Sequence, residues 1–164
     1  MHIDANWEKP QWQRTEALEI NNYMGEVPPF KPIVHAKIMY NDSDIYVIFQ
    51  VRDQFVRATT NQINGDVWDN SCVEFFFAPD TKYTRKYFNL EVTCGGVPLM
   101  RYNVIPRIEY TLLDSSDISK IEIAHSLPRI VDPEINEPVT WTVEYRIPFS
   151  MLKKSQVSLF QNQV

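Results

Sequence analysis

Glycine is scarce, with four residues in 164, and only Gly95 and Gly96 stand together. No glycine-rich strand-to-helix turn appears, which argues against an α/β fold. Cysteine is limited to Cys72 and Cys94, whose spacing resembles no zinc knuckle and supplies only two of the four protein ligands a structural zinc site normally needs. His2, His35 and His125 are isolated. No GxSxG elbow, HExxH pair or HxE with paired cysteines is present, so the common hydrolase and deaminase signatures are missing. Basic residues are outnumbered, 16 against 21 acidic, for a formal charge of -5. That balance offers no broad positive field for a phosphate backbone and argues against nucleic acid as a partner. No apolar run approaches the roughly 20 residues of a membrane span, and MHIDANWEKP lacks the basic and then apolar regions of a secretory signal.

What remains is apolar and aromatic. The apolar share is 44% and Phe, Tyr and Trp reach 13%, enough for one packed core, and the length predicts a single domain over residues 1–164. Residues 1–32 hold Trp7, Trp12 and several prolines and read as an arm that wraps the core, with one short strand. In such an arm Trp7 and Trp12 either plug a core edge or serve as ligand platforms. From Ile33 the pattern alternates. IVHAKIMY and IYVIFQVRD flank the turn Asn41 to Asp44 and predict a hairpin, with Ile45, Val47, Phe49 and Val51 opposed to Tyr46, Ile48, Gln50 and Arg52. FVRATT is a weaker strand, while CVEFFF, YFNLEVTC and VTWTVEYRIPF are strong ones. Met100 to Tyr110 supplies another, interrupted at Pro106. Asp114 to Ser126 reads as a helical turn followed by a strand, and Pro133 and Pro138 bound an acidic turn. Six to eight strands with few helices predict a two-sheet antiparallel β-sandwich, immunoglobulin- or jelly-roll-like. The final VSLFQNQV reads as a strand without a closing turn, which predicts further sequence downstream.

The densest polar and aromatic cluster is GDVWDNSCVEFFF, from Gly65 to Phe77. Trp68 falls in a turn and Glu74 on the strand after it, on the face opposite Val73 and Phe75. A turn that leaves an indole accessible beside a strand-fixed carboxylate suits a sugar, whose C–H faces cover the ring while its hydroxyls need oriented partners. Glu74, Asn89, Glu91 and Arg101 are the candidate partners. The alternative is a core Trp68 beside solvated acids, with Asn89, Glu91 and Thr93 on a half-exposed strand face. Glycoside hydrolysis would need two carboxyl groups roughly 5–9.5 Å apart, and Glu74 with Glu91 is the one such pair suggested, in a way any acidic sheet would offer. A calcium site is considered at Asp53 or Asp66 with Asp69, although no turn carries a complete ligand loop. Cys72 and Cys94 read as buried free thiols, with a disulfide as the alternative. Trp141, inside a strand, reads as core.

IDANW, YVIFQVRD, VWDNSCVEFFFAP, YFNLEVTCGG and WTVEYRIPFSML, in that order, resemble the family 9 carbohydrate-binding modules, and the divergent family 9-like domains of bacterial secreted proteins in particular. The resemblance implies a non-catalytic sandwich that binds a poly- or oligosaccharide in glycan utilisation, in relatives appended to xylanases and other glycoside hydrolases. It further implies an extracellular or periplasmic location. In sugar-binding members an aromatic of the VWDN-like block belongs to an aromatic clamp and a glutamate six residues on bonds the sugar, which carries over to Trp68 and Glu74. Asn89 and Glu91 resemble further hydroxyl partners. The second clamp aromatic of those members lies near their C-terminus, and no residue up to Val164 matches it. A structural or protein-interaction sandwich that has lost sugar binding is therefore the competing expectation.

Overall fold

The strands follow the alternation of apolar side chains, because a pleated strand can bury every second residue while its neighbours face away. A computed structural model describes residues 1–23, 25–27, 29–79 and 85–152. Its first sheet is built from β1 (Leu18–Glu19), β2 (Ile33–Tyr40), β3 (Asp44–Asp53), β9 (Glu122–His125) and β11 (Val139–Pro148), in the order β1-β2-β3-β11-β9. The second contains β5 (Cys72–Phe77), β6 (Tyr87–Thr93), β7 (Pro98–Ile105) and β8 (Glu109–Leu112), in sequence order. A ribbon of β4 (Val56–Ala58) and β10 (Val131–Ile135) completes the described strands. Their pairings are antiparallel. The result is the expected β-sandwich.

The longest pairing carries the first sheet. β11 and β3 run in unbroken register from Val139 opposite Asp53 to Pro148 opposite Asp44. A one-residue slip would turn Val47, Phe49 and Val51 away from the core, so the apolar face fixes the register. These residues join Trp141, Val143 and Tyr145 against Val73, Phe88, Leu90, Val92 and Met100 of the second sheet. Trp141 is the core residue the sequence suggested. Cys94 is buried and Cys72 half-buried, and both are free thiols. Burial holds Cys72 up to about 12 and Cys94 up to about 11, so neither is a ready nucleophile.

The arm covers the outer face of the first sheet around Tyr46, Ile48 and Glu144. Trp12, fully buried in the short helix α1 (Pro10–Gln13), packs with Ile3, Tyr46 and Ile48, and half-buried Trp7 lies 4.4 Å below the Lys37 ammonium. Glu144, from the central strand β11, is buried beneath. It accepts from the amides of Asp4 and Ala5 at 2.9 and 2.8 Å, from Lys9 Nζ at 2.8 Å and from Trp12 Nε1 at 2.8 Å. Ala5 is in the left-handed region (φ 57°), and the two successive amides converge on one carboxylate oxygen. Both tryptophans thus serve the arm rather than an open platform.

Two local expectations need correction. The acidic segment around Pro133 is strand β10 rather than a turn. It lies in a two-stranded ribbon whose register shifts between Val131 and Ile135, the setting in which a strand tolerates a residue without an amide hydrogen. The helix α1 was also unforeseen, since four residues are too few to show a helical period. The segment VSLFQNQV lies outside the described residues. Among the described residues no helix is long and apolar enough to cross a membrane.

Candidate functional site

The second sheet presents its other face outward. Across the strands Glu74 stands opposite Glu91 and Glu91 opposite Leu99, while Phe76, Asn89, Arg101 and Leu112 form the next row. Alternation alone therefore puts Glu74, Asn89, Glu91 and Arg101 on one surface. The loop that carries Trp68 packs on the same surface through Val67. Val67, Trp68 and Asp69 form a single 3-10 turn in which Val67 is fully buried against Cys72, Val97 and Leu99, leaving the next residue, Trp68, 58% exposed. The core reading of Trp68 is thereby excluded.

Two asparagines hold that loop, and neither was singled out from sequence. Asn64 donates through its amide to Pro98 O and through Nδ2 to Leu113 O, and its Oδ1 accepts from Met100 N. It thus occupies the edge of β7 where pairing with β8 has stopped. Asn70 donates to Asp66 O across the 3-10 turn and accepts from Thr59 N, both at 2.6 Å. The sequence signal was the preference of asparagine for turns, which marks such places without saying which backbone groups will be held.

The polar residues between these supports are not solvated. Asn89, Glu91 and Thr93 are 6%, 2% and 0% exposed, which corrects the half-exposed reading of that strand face. Asn89 Nδ2 donates to Glu91 Oε1 at 2.9 Å, and Arg101 lies 3.4 Å from the same oxygen. Glu91 Oε2 and Asn89 Oδ1, both buried, have no donor among the described residues. A buried acceptor without a donor costs about 1–3 kcal/mol, and both oxygens are closed to solvent in this structure. Burial raises the pKa of Glu91 against the opposing pull of Arg101 and Asn89. Glu74 is raised as well, first by desolvation and then by the charge of Glu91, and Arg101 opposes both. The Arg101 guanidinium also sits 5.4 Å from the Tyr110 ring centre, in cation–π range.

Beside Glu74 a cavity of about 460 Å³ opens at the seam of the two sheets, lined by Val34, Phe49, Val51, Asp53, Phe76 and Trp141 among others. Asp53 lies in its wall with a pKa raised by burial. Among the described residues no three His, Cys, Asp or Glu side chains form a group able to hold a metal. The calcium site considered at Asp53 or Asp66 with Asp69 is therefore not assembled from a cluster of acidic side chains.

A sandwich with one outer face partly closed by its own chain and the other carrying the exposed Glu74 beside a loop with an exposed indole falls in the class of β-sandwich binding modules. The chain belongs to carbohydrate-binding family 9, whose profile matches residues 5–163. Its fold is similar to that of a candidate carbohydrate-binding protein from Bacteroides uniformis ATCC 8492, with a TM-score of 0.78 at 24% identity, covering 88% of this chain and 65% of that one. It is also similar to a family 9 carbohydrate-binding module from Caldicellulosiruptor kristjanssonii solved with cellotriose, with a TM-score of 0.56 at 18% identity, covering 90% of this chain and 63% of that one. The chain thus spans somewhat under two thirds of the length of both structures. No curated protein matches.

Proposed function

We propose that this protein binds an oligosaccharide or polysaccharide without cleaving it, on the outer face of the second sheet, with Trp68 as stacking surface and Glu74, Asn89, Glu91 and Arg101 as hydroxyl partners. The observation that carries the reading is a 58% exposed indole on a loop whose Val67 packs against Cys72 and Leu99, on the face that also carries the exposed Glu74. A sugar C–H face covers an indole, and its hydroxyls donate to an accessible carboxylate. Membership of carbohydrate-binding family 9 and the cellotriose held by the C. kristjanssonii module support the ligand class. A role in glycan utilisation, an extracellular or periplasmic address and an attached glycoside hydrolase domain belong to this same proposal, as the setting in which such modules work.

Titration calorimetry against a panel of cello-, xylo- and manno-oligosaccharides tests it. Trp68→Ala should weaken binding to a retained ligand by about tenfold, the loss of one stacked ring, and Glu74→Gln should weaken it by a charge-assisted hydrogen bond of about 1.5–3 kcal/mol. Equal binding by wild type and a folded Trp68→Ala variant rejects the site. A wild type that binds nothing in the panel favours the protein-interaction alternative.

A further inference from the structure

Among the described strands β6 alone pairs with β5, which therefore forms an edge of the second sheet. Alternation turns Cys72, Glu74 and Phe76 to one side of that strand and Val73 to the other, yet all four line the seam cavity. The cavity thus wraps the edge of β5, and its floor is the inner face of the first sheet. There Val51 stands between Val34 and Trp141 across the ladder, with Phe49 two residues along β3. Phe49 and Trp141 are buried, whereas Phe76 is 54% exposed and marks the mouth. At about 460 Å³ the space falls within the roughly 300–1,000 Å³ of small-molecule sites.

Asp53 and Glu74 are the carboxylates of this lining, and neither has an ion pair among the described residues. Asp53 accepts from the Gln54 amide at 2.7 Å. Arg101 pulls on Glu74 from a distance, while its guanidinium engages Glu91 and the Tyr110 ring. The negative charge is felt in the cavity wall, where burial and then the Glu74 carboxylate hold the Cys72 thiol up to about 12. Two acids without a cation therefore border an apolar space that also holds three aromatic rings. We infer that the cavity binds a small organic ammonium compound, with its apolar body among Phe49, Phe76 and Trp141 and its cationic nitrogen toward Asp53 and Glu74. Ring faces and carboxylates attract a cation alike, so one ligand satisfies both parts of the lining. An anion would meet two like charges there. A neutral apolar molecule would fill the space and leave the charge uncompensated, and a bare metal ion would leave the rings unused. The site stands apart from the sugar reading, because Asp53 is not one of the proposed hydroxyl partners, although Glu74 borders both.

The test is calorimetric titration of the whole protein, without sugar, with 2-phenylethylammonium and with its neutral counterpart 2-phenylethanol. Wild type should bind the ammonium about tenfold more tightly than the alcohol, a comparison that needs no variant to fold. Asp53→Asn keeps an oxygen for the Gln54 amide. It should remove most of that preference while binding the alcohol as wild type does. Phe76→Ala, at an exposed position, should weaken both probes severalfold, since it takes one wall from each. Thermal unfolding checks that both variants are folded. Equal affinity of wild type for the two probes overturns the inference, and so does a wild type that binds no ammonium at millimolar concentration. A folded Asp53→Asn variant that keeps the full preference overturns it as well. Each of these failures leaves oligosaccharide binding at Trp68 standing, because the titrations contain no sugar and the sugar panel contains no ammonium.

Discussion

Glu91 and Glu74 face each other across one strand pair, and both carboxyls are held above their ordinary range, Glu91 by burial and Glu74 by burial and then by the charge of Glu91. A sugar hydroxyl donates best to an ionised oxygen. Affinity should therefore rise as pH increases from below the ordinary glutamate value of 4.5 through the elevated values, then level off. Calorimetry across acid to neutral pH measures this, and Glu91→Gln should flatten the profile by removing both a titrating acceptor and the charge that raises Glu74. Affinity that falls with rising pH would mean a protonated carboxyl serves as donor. Sequence made this pair visible because period-two alternation assigns a face. It did not show that Asn89 and Glu91 are buried, because alternation assigns a face without saying what packs on it.

Elements divide the same way. Strands with five or more alternating residues were legible, because pattern and packing agree in them. The Pro133 strand was not, because a short ribbon is decided by its partner β4 and not by its own composition. The turn at Gly95 and Gly96 shows what scarce glycine is used for. A Cβ on Gly95 would lie 2.2 Å from the Arg129 carbonyl oxygen, and one on Gly96 would lie 2.3 Å from the His125 ring, at a φ of +77°. Gly95→Ala should push the β6–β7 turn away from the segment after β9 and cost about 1–3 kcal/mol in urea denaturation, as overpacking does. A neutral result would show that this segment yields easily. The arm is held chemically rather than by strand pairing alone. Glu144→Ala strands two backbone amides and the Trp12 indole and leaves the Lys9 ammonium with only His2 O and the Asp4 carboxylate, and breaking a buried ion pair in this way costs up to about 3–5 kcal/mol. Denaturation with Trp fluorescence should show that loss together with exposure of Trp12. Full stability in the variant would mean the arm is held by its apolar contacts alone.

At the scale of the molecule, the two outer faces have different fates, and the difference originates in where charge sits. On the first sheet a buried carboxylate is completely supplied with donors from the chain itself, whereas on the second the buried Glu91 and Asn89 each keep an oxygen without one. The class of fold was legible from strand count, length and missing glycine-rich turns, since those determine which layers can form. The sealing of one face was not, because nothing in the alternation of β11 distinguishes Glu144 from a solvated glutamate. The Glu144 anchor has one more consequence, for the order of events during synthesis. Its donors lie 132 to 140 residues earlier in the chain. Since a ribosome adds about 5–20 residues per second, the arm emerges many seconds before the side chain that fastens it exists. Until then Trp12 and Ile3 have no finished sheet to cover. The nascent protein therefore exposes its first tryptophans until β11, the last described strand, has been made, and closes over them only then.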